Sequence, residues 1–191
     1  HLQYVAQSLR KVREIIGLKK ALIGFGGSPW TLATYMVEGG SAKNFEKIKY
    51  LYFSDHASFE RLMEKLVKAL ITYFKLQIEA GVDVLQIFDS WGHLCQGTRY
   101  WDMSLRWIKQ IIEKMEGKVP VIFYGKHMSH HLDLIKATGA KVFSVDWTVD
   151  LARLQQQTRP LGLGLQNNID PVLLSTMPDR VYQETATLVH S

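Results

Sequence analysis

Polar and ionisable side chains collect at one recurring place in this sequence, directly after short apolar runs. Asp89 and Ser90 follow the run 84–88, and Asp146 follows the run 142–145. If such runs are parallel strands, the loops that follow them form one active face, as in a TIM barrel. We therefore expect these residues to lie together on one functional face. The full set is Ser28, Asp89, Ser90, Lys126, His127, Asp146, Gln166 and Asn167.

The stretch 22–40 indicates how part of that face is built. It runs from an apolar strand through a Gly-Gly-Ser-Pro turn into a short helical turn that carries Trp30 and Tyr35. Residues 21–37 carry no charge, but glycine and proline interrupt a run that a membrane span would need to keep apolar over ~20 residues. The pattern instead predicts a buried strand whose end opens onto a pocket lined by backbone amides and these two aromatic side chains.

Apolar spacing predicts helices and strands that alternate along the whole chain. Apolar residues three and four apart indicate amphipathic helices, and short apolar runs between turn residues indicate buried strands. Asp55 is placed to cap the long central helix, and Gly139 to end a later one. We predict strands around Ile23 and at 84–88, 121–124, 142–145 and 161–165, and helices at 5–16, 59–76, 105–115, 132–138, 151–157 and after Pro178.

Strands that are apolar on both faces and separated by helices favour parallel βαβ units, and hence an α/β fold. Polar residues after the strand ends are typical of a (β/α)8 TIM barrel, and a doubly wound sheet would give the same asymmetry. The sequence contains no complete glycine fingerprint for a dinucleotide, and Gly162 and Gly164 form only a bare Gly-x-Gly pair inside a predicted strand. Since a barrel needs eight strands and ~250 residues, the chain is either an open sheet or a segment of a barrel.

Composition indicates one soluble intracellular domain with an anionic partner. The chain has 191 residues, 47% of them hydrophobic, and a net charge of +5 with a pI near 9.2. A charge of this sign favours a polyanionic partner, which could be nucleic acid, an acidic membrane surface or a polycarboxylate ligand. The basic residues are scattered rather than clustered, which disfavours nucleic acid. The single cysteine, Cys95, excludes an intrachain disulfide and suits a reducing compartment. The N-terminus lacks signal-peptide features and does not begin with Met, so we expect a processed or shortened chain.

Four segments of the chain resemble the uroporphyrinogen decarboxylase family. Residues 22–40 resemble its signature, and 86–90 resemble a strand that ends in an aromatic, an acid and a small hydroxyl residue. Residues 145–148 match its Leu/Val-Asp-Trp-Thr motif, and 165–171 are similar to Leu-Gln-Gly-Asn-Leu-Asp-Pro. Two departures affect the pocket-side loops, because Asn167 replaces a glycine and the turn at 125–131 differs from a Lys-Gly-rich turn.

The resemblance implies a partial TIM barrel over 1–191, a single domain that corresponds to the third to seventh barrel strands. The strands with the arginine-rich motif and the catalytic aspartate, and a last one with a histidine, would lie outside this sequence. No catalytic residue is then expected here, and the chain alone is expected to be inactive. The implied reaction is decarboxylation of the four acetate groups of uroporphyrinogen III to coproporphyrinogen III in haem biosynthesis. The resemblance also implies a cytoplasmic homodimer that uses no metal or organic cofactor, with no nucleic-acid or membrane partner.

Four residues of this chain match family residues of the substrate site. By position, Tyr35 and Ser90 match residues that contact the tetrapyrrole, and Phe25 and Phe88 match aromatics that line its cavity. Each has a plainer interpretation: a core tyrosine with its hydroxyl at the surface, a serine that caps the next segment, and ordinary packing for the phenylalanines. For Asp146 the plainer role, a structural hydrogen-bond hub, is the favoured one.

Two alternatives remain open at this point. His93 and Cys95 have the His-x-Cys spacing that zinc-dependent methyltransferases of the same superfamily use, but a site of that kind usually needs a second thiolate. His127, His130 and His131 form a second histidine group, in which the adjacent pair would diverge on a helix. The other alternative is a non-catalytic barrel remnant, which the absence of the arginine and aspartate segments would favour.

Overall fold

Five parallel strands and the helices that connect them make up the computed structural model, which describes residues 2–166 and 169–190. The strands are β1 Ile23–Gly27, β2 Val84–Asp89, β3 Val121–Gly125, β4 Val142–Ser144 and β5 Gly164–Gln166. The helices are α1 Gln3–Ile16, α2 Pro29–Glu38, α3 Glu46–Ser54, α4 His56–Glu79, α5 Arg106–Lys114, α6 Leu132–Ala137, α7 Leu151–Thr158 and α8 Pro178–His190.

The order of the strands in the sheet is the order in the sequence, β1-β2-β3-β4-β5, and every neighbouring pair is parallel. A doubly wound sheet reverses its strand order partway across, whereas a TIM barrel adds each strand beside the previous one. The chain therefore folds as consecutive β/α units of a TIM barrel, and the doubly wound alternative is wrong.

The long helix α4 packs closely on β1 because that strand is rich in glycine. A Cβ atom on Gly26 would lie 2.9 Å from the ring of Phe74, and one on Gly24 would lie 2.7 Å from Oε1 of Gln77. Phe74 is completely buried. The two glycines thus let α4 lie close against this face of the sheet. Because successive residues of a strand point to opposite faces, the side chain of Phe25 lies on the other face.

The outer edge of β1 is covered at one residue by a side chain. The N–H of Phe25 donates to Oε1 of Gln77 over 2.9 Å, and Nε2 of Gln77 donates to the carbonyl oxygen of Phe25 over 3.1 Å. Gln77 is itself buried. The amide satisfies the two backbone groups that a further strand would otherwise pair.

Most predicted elements are confirmed, with two differences. The Asp55 side chain accepts a hydrogen bond from the N–H of Ser58 and caps α4 as predicted. Helix α3 was not predicted, because its N-cap residue, Phe45, offers no side-chain cap and adopts a left-handed conformation. Strand β5 begins three residues later than expected, since Gly162, with φ +59°, closes a turn after α7. No helix of the described residues is long and apolar enough to span a bilayer.

Candidate active site

The face of the sheet opposite the helices carries a row of aromatic side chains. The rings of Phe25 and Phe88 meet edge to face with their centroids 6.0 Å apart, and the ring of Tyr124 lies 5.5 Å from that of Phe88. Phe25 is 60% exposed. The predicted cavity-lining pair is thus brought together. Tyr124 was not singled out from the sequence, although its parallel register with Phe88 places both side chains on one face.

Tyr35 lies at the rim of this face, on the helix that follows β1. The Ser28 hydroxyl accepts a hydrogen bond from the N–H of Thr31 over 3.0 Å and caps α2, with Pro29 in its first turn. The Tyr35 ring packs edge-on against the rings of Phe45 and Trp91, at 5.7 and 6.1 Å. These contacts fix the ring, while its hydroxyl has no hydrogen-bond partner among the residues that the structure describes.

The sequence led us to expect Asp89 on the functional face, and this expectation is wrong. Its carboxylate is fully buried on the helix side of the sheet and accepts hydrogen bonds from three hydroxyl groups, those of Ser28 at 2.6 Å, Tyr100 at 2.8 Å and Ser104 at 3.0 Å. Burial raises the pKa of the Asp89 carboxyl, against these hydrogen bonds, which lower it. Asp89 is therefore a buried hub that joins the loops after β1 and β2.

Ser90 follows Asp89 directly and is half-buried at the carboxyl end of β2. The turn beyond it is tight, because a Cβ atom on Gly92 would lie 2.4 Å from Oδ2 of Asp89. A second contact joins the same two loops: Nε1 of Trp30 donates to the carbonyl oxygen of Trp91 over 3.0 Å. The start of helix α2, which carries Tyr35, and the loop that carries Ser90 are thus fixed to each other at two points.

Asp146 is a second hub, between the loops after β3 and β4. It is 1% exposed and accepts hydrogen bonds from the backbone N–H groups of His127, at 2.6 Å, and Thr148, at 2.9 Å, and from the Thr148 hydroxyl. Burial alone would raise the pKa of the Asp146 carboxyl, but the hydrogen bonds from Thr148 and His127 outweigh it and hold that pKa below its ordinary value. The structural role favoured from the sequence fits this geometry.

Three further residues of the expected polar face are less informative. Lys126 is half-buried after β3. Gln166 ends β5, and its Oε1 atom is buried without a hydrogen-bond partner within the described residues. Asn167 lies outside the described residues.

The geometry around Cys95 does not resemble a zinc site. Burial raises the pKa of the Cys95 thiol well above its ordinary value, which disfavours the thiolate that zinc requires. His130 and His131 do not diverge, because their ring centroids lie 4.0 Å apart in a short 3₁₀ turn. Within residues 2–166 and 169–190, no three His, Cys, Asp or Glu side chains are grouped so that they could hold a metal ion.

The aromatic face and its rim lie at the carboxyl ends of parallel strands, where TIM-barrel enzymes place their active sites. The family model described as "Uroporphyrinogen decarboxylase (URO-D)" matches residues 1–191. The chain therefore belongs to the uroporphyrinogen decarboxylase family.

Relatives of known name agree with this assignment. The chain is 42% identical over 193 residues to the uroporphyrinogen decarboxylase of Edwardsiella ictaluri, and the alignment covers 98% of this chain and 54% of the relative. It is 40% identical over 195 residues to that of Psychromonas ingrahamii, with coverage of 100% and 55%. The chain thus spans about half the length of the curated relatives it matches.

A solved structure confirms the architecture. A methyltransferase from Methanosarcina mazei superposes with a TM-score of 0.80 over 94% of this chain and 52% of its own. Its sequence identity to this chain is 17%, so the likeness bears on the fold alone.

Proposed function

We propose that this chain forms the wall of the substrate pocket in a uroporphyrinogen decarboxylase, which converts uroporphyrinogen III into coproporphyrinogen III by removing four molecules of CO2. The observation that carries this proposal is the family match over the whole chain, 1–191. The open aromatic face supports it, because a tetrapyrrole offers broad apolar ring surfaces with carboxylates at their edges.

The proposed reaction needs no metal or organic cofactor, for a reason that lies in the substrate. Protonation of a pyrrole α-carbon turns the ring into an electron sink, so that an acetate group can lose CO2. The resulting methylene group is then protonated to a methyl group. The protein has to bind a polyanion, place negative charge near the pyrrole N–H groups and supply protons.

The described residues suit the binding part of this task. Phe25, Phe88 and Tyr124 offer an apolar wall against which pyrrole rings can pack. Tyr35 and Ser90, at the rim, offer hydroxyl groups that can donate hydrogen bonds to the carboxylates. The net charge of +5 favours approach of a polycarboxylate. The proposal includes a cytoplasmic location and a homodimer, as the resemblance implies.

The test is product analysis with the protein expressed at its full encoded length. Uroporphyrinogen III is supplied under anaerobic conditions, and the products are oxidised to porphyrins and separated by the number of their carboxyl groups. We expect stepwise loss of four carboxyl groups, with coproporphyrin as the final species and no dependence on added metal. Unchanged substrate would contradict the proposal and favour a non-catalytic barrel, and methyl transfer to a thiol would favour the methyltransferase alternative.

A further inference from the structure

The loop after β3 holds a histidine in a backbone conformation that is uncommon for residues with a side chain. His127 has φ +57°, in the left-handed region. Glycine adopts this region without steric cost, whereas a residue with a Cβ atom adopts it only where the surroundings hold it there. Strained residues of this kind cluster at binding and catalytic sites.

The buried carboxylate of Asp146 contacts both the backbone N–H group and the imidazole ring of His127. Its Oδ2 atom accepts the hydrogen bond from the backbone N–H of His127 over 2.6 Å, and Nδ1 of the imidazole lies 3.4 Å from the same oxygen. The other carboxylate oxygen is occupied by Thr148. Since Nδ1 faces Asp146, the other ring nitrogen, Nε2, points away from it. The side chain remains 48% exposed.

The imidazole continues the rim on which Tyr35 lies. Successive ring centroids are 6.1 Å apart from Tyr35 to Trp91, 5.9 Å from Trp91 to His93, and 5.7 Å from His93 to His127. These four rings run from helix α2, across the loop after β2, to the loop after β3. His127 thus lies at the carboxyl ends of the strands, on the same rim as the candidate substrate residues.

We propose that His127 is a further substrate-binding residue, whose imidazole ring, oriented by Asp146, donates a hydrogen bond from Nε2 to a carboxylate of the tetrapyrrole. This inference rests on the proposed function. Asp146 acts only as a positioning residue.

The surroundings of the imidazole are compatible with an anionic group. A cavity of about 430 Å³ opens beside His127 and is also lined by His130, Asp150 and Arg153. The guanidinium group of Arg153 has no ion-pair partner among the described residues, whereas the Asp150 carboxylate caps α7 through the N–H of Arg153. The charged and titratable groups around His127 are Lys126 and His130 on its own loop, His93 after β2, and Asp146, Asp150 and Arg153 after β4.

The test compares His127→Gln with His131→Gln in the full-length protein. Both variants remove an imidazole from the same loop, but the His131 ring packs 5.2 Å from that of Tyr100 and does not line the cavity. We expect His127→Gln to raise KM for uroporphyrinogen ~10-fold with kcat little changed, the scale of a lost hydrogen bond to a charged group. His131→Gln should keep the wild-type KM.

Equilibrium binding separates this inference from the proposed function. The probe is uroporphyrin, the oxidised octacarboxylate, followed by its fluorescence. If wild type binds it about tenfold more tightly than His127→Gln but releases no CO2, the decarboxylase proposal fails and the binding role stands. If wild type decarboxylates its substrate and His127→Gln matches it in KM and in porphyrin binding, the binding role is wrong. Equal losses in His127→Gln and His131→Gln would also overturn it, because they would indicate a disturbed loop, and absence of binding and turnover in wild type would overturn both.

Discussion

Removing the hydroxyl group of Tyr35 or Ser90 should weaken substrate binding while leaving the packing of the site unchanged. Tyr35 is held by two rings and is 39% exposed, so Tyr35→Phe removes one hydroxyl and leaves the packing. We expect it to cost roughly 1–2 kcal/mol of affinity or transition-state stabilisation, the scale of a hydrogen bond to a charged group. Ser90→Ala should cost somewhat less. The measurement is kcat/KM for coproporphyrinogen formation.

A second tyrosine provides the matched control for Tyr35. Tyr50 on α3 is 75% exposed, and Tyr50→Phe makes the same chemical change away from the aromatic face. It should leave kcat/KM unchanged. If Tyr35→Phe and Ser90→Ala also leave kcat/KM unchanged, neither residue contacts the substrate.

Asp146 should make stability depend on pH in the acid range. Its pKa is held below the ordinary carboxyl value in the folded state, so the unfolded state binds more protons between those two pKa values. Its contribution is therefore complete above the ordinary pKa and is lost as pH falls through the folded-state pKa. Thermal midpoints measured from about pH 7 down to about pH 3 should fall more steeply for wild type than for Asp146→Asn.

The other hub, Asp89, should make stability depend on pH in the opposite direction. Burial raises the pKa of Asp89, so the folded state binds more protons there, and its contribution declines as pH rises above the ordinary carboxyl pKa. Asp89→Asn should remove that decline.

If the curves for wild type and Asp146→Asn run parallel, the Asp146 carboxylate is not held as the geometry indicates.

At the scale of elements, the contact of α4 with β1 sets the position of the aromatic face. A methyl group on Gly26 would meet the buried ring of Phe74 at 2.9 Å, and the enclosed ring has little room to yield. We expect Gly26→Ala to destabilise the protein by roughly 1–3 kcal/mol, as overpacked cores do. Gly40→Ala is the control, because no atom lies within 4 Å of its Cβ position. Equal thermal midpoints for the two variants would show that α4 does not pack tightly on β1.

The elements were largely predictable where local sequence decides them, and less so where tertiary contacts do. The periodic apolar stripe predicted α4, and Asp55 predicted where it starts, because both signals lie in the helix or directly before it. The start of α3 could not be predicted, because its N-cap residue, Phe45, has no capping side chain and adopts a left-handed conformation. The Phe45 ring packs against Trp91, which is distant in the sequence. The proximity of Phe25 and Phe88 was expected from the resemblance. The contact of His127 with Asp146 was not, because it joins residues 19 positions apart through the meeting of two loops.

At the scale of the molecule, a five-stranded part of a barrel leaves an aromatic face open. The exposed ring of Phe25 and the sheet edges beside β1 and β5 are surfaces that a closed barrel would cover. We expect residues 1–191 expressed alone to self-associate and to show no decarboxylase activity. Size-exclusion chromatography combined with the product assay tests this. A monodisperse monomer that turns over uroporphyrinogen would contradict it.

The central claim is that the open face of this sheet binds the tetrapyrrole. The most direct test is a crystal structure of the full-length protein with coproporphyrinogen bound. We predict pyrrole rings packed against Phe25 and Phe88, with the hydroxyl groups of Tyr35 and Ser90 within about 3.2 Å of carboxylate oxygens. A product molecule bound elsewhere, with these four side chains out of contact, would contradict the account.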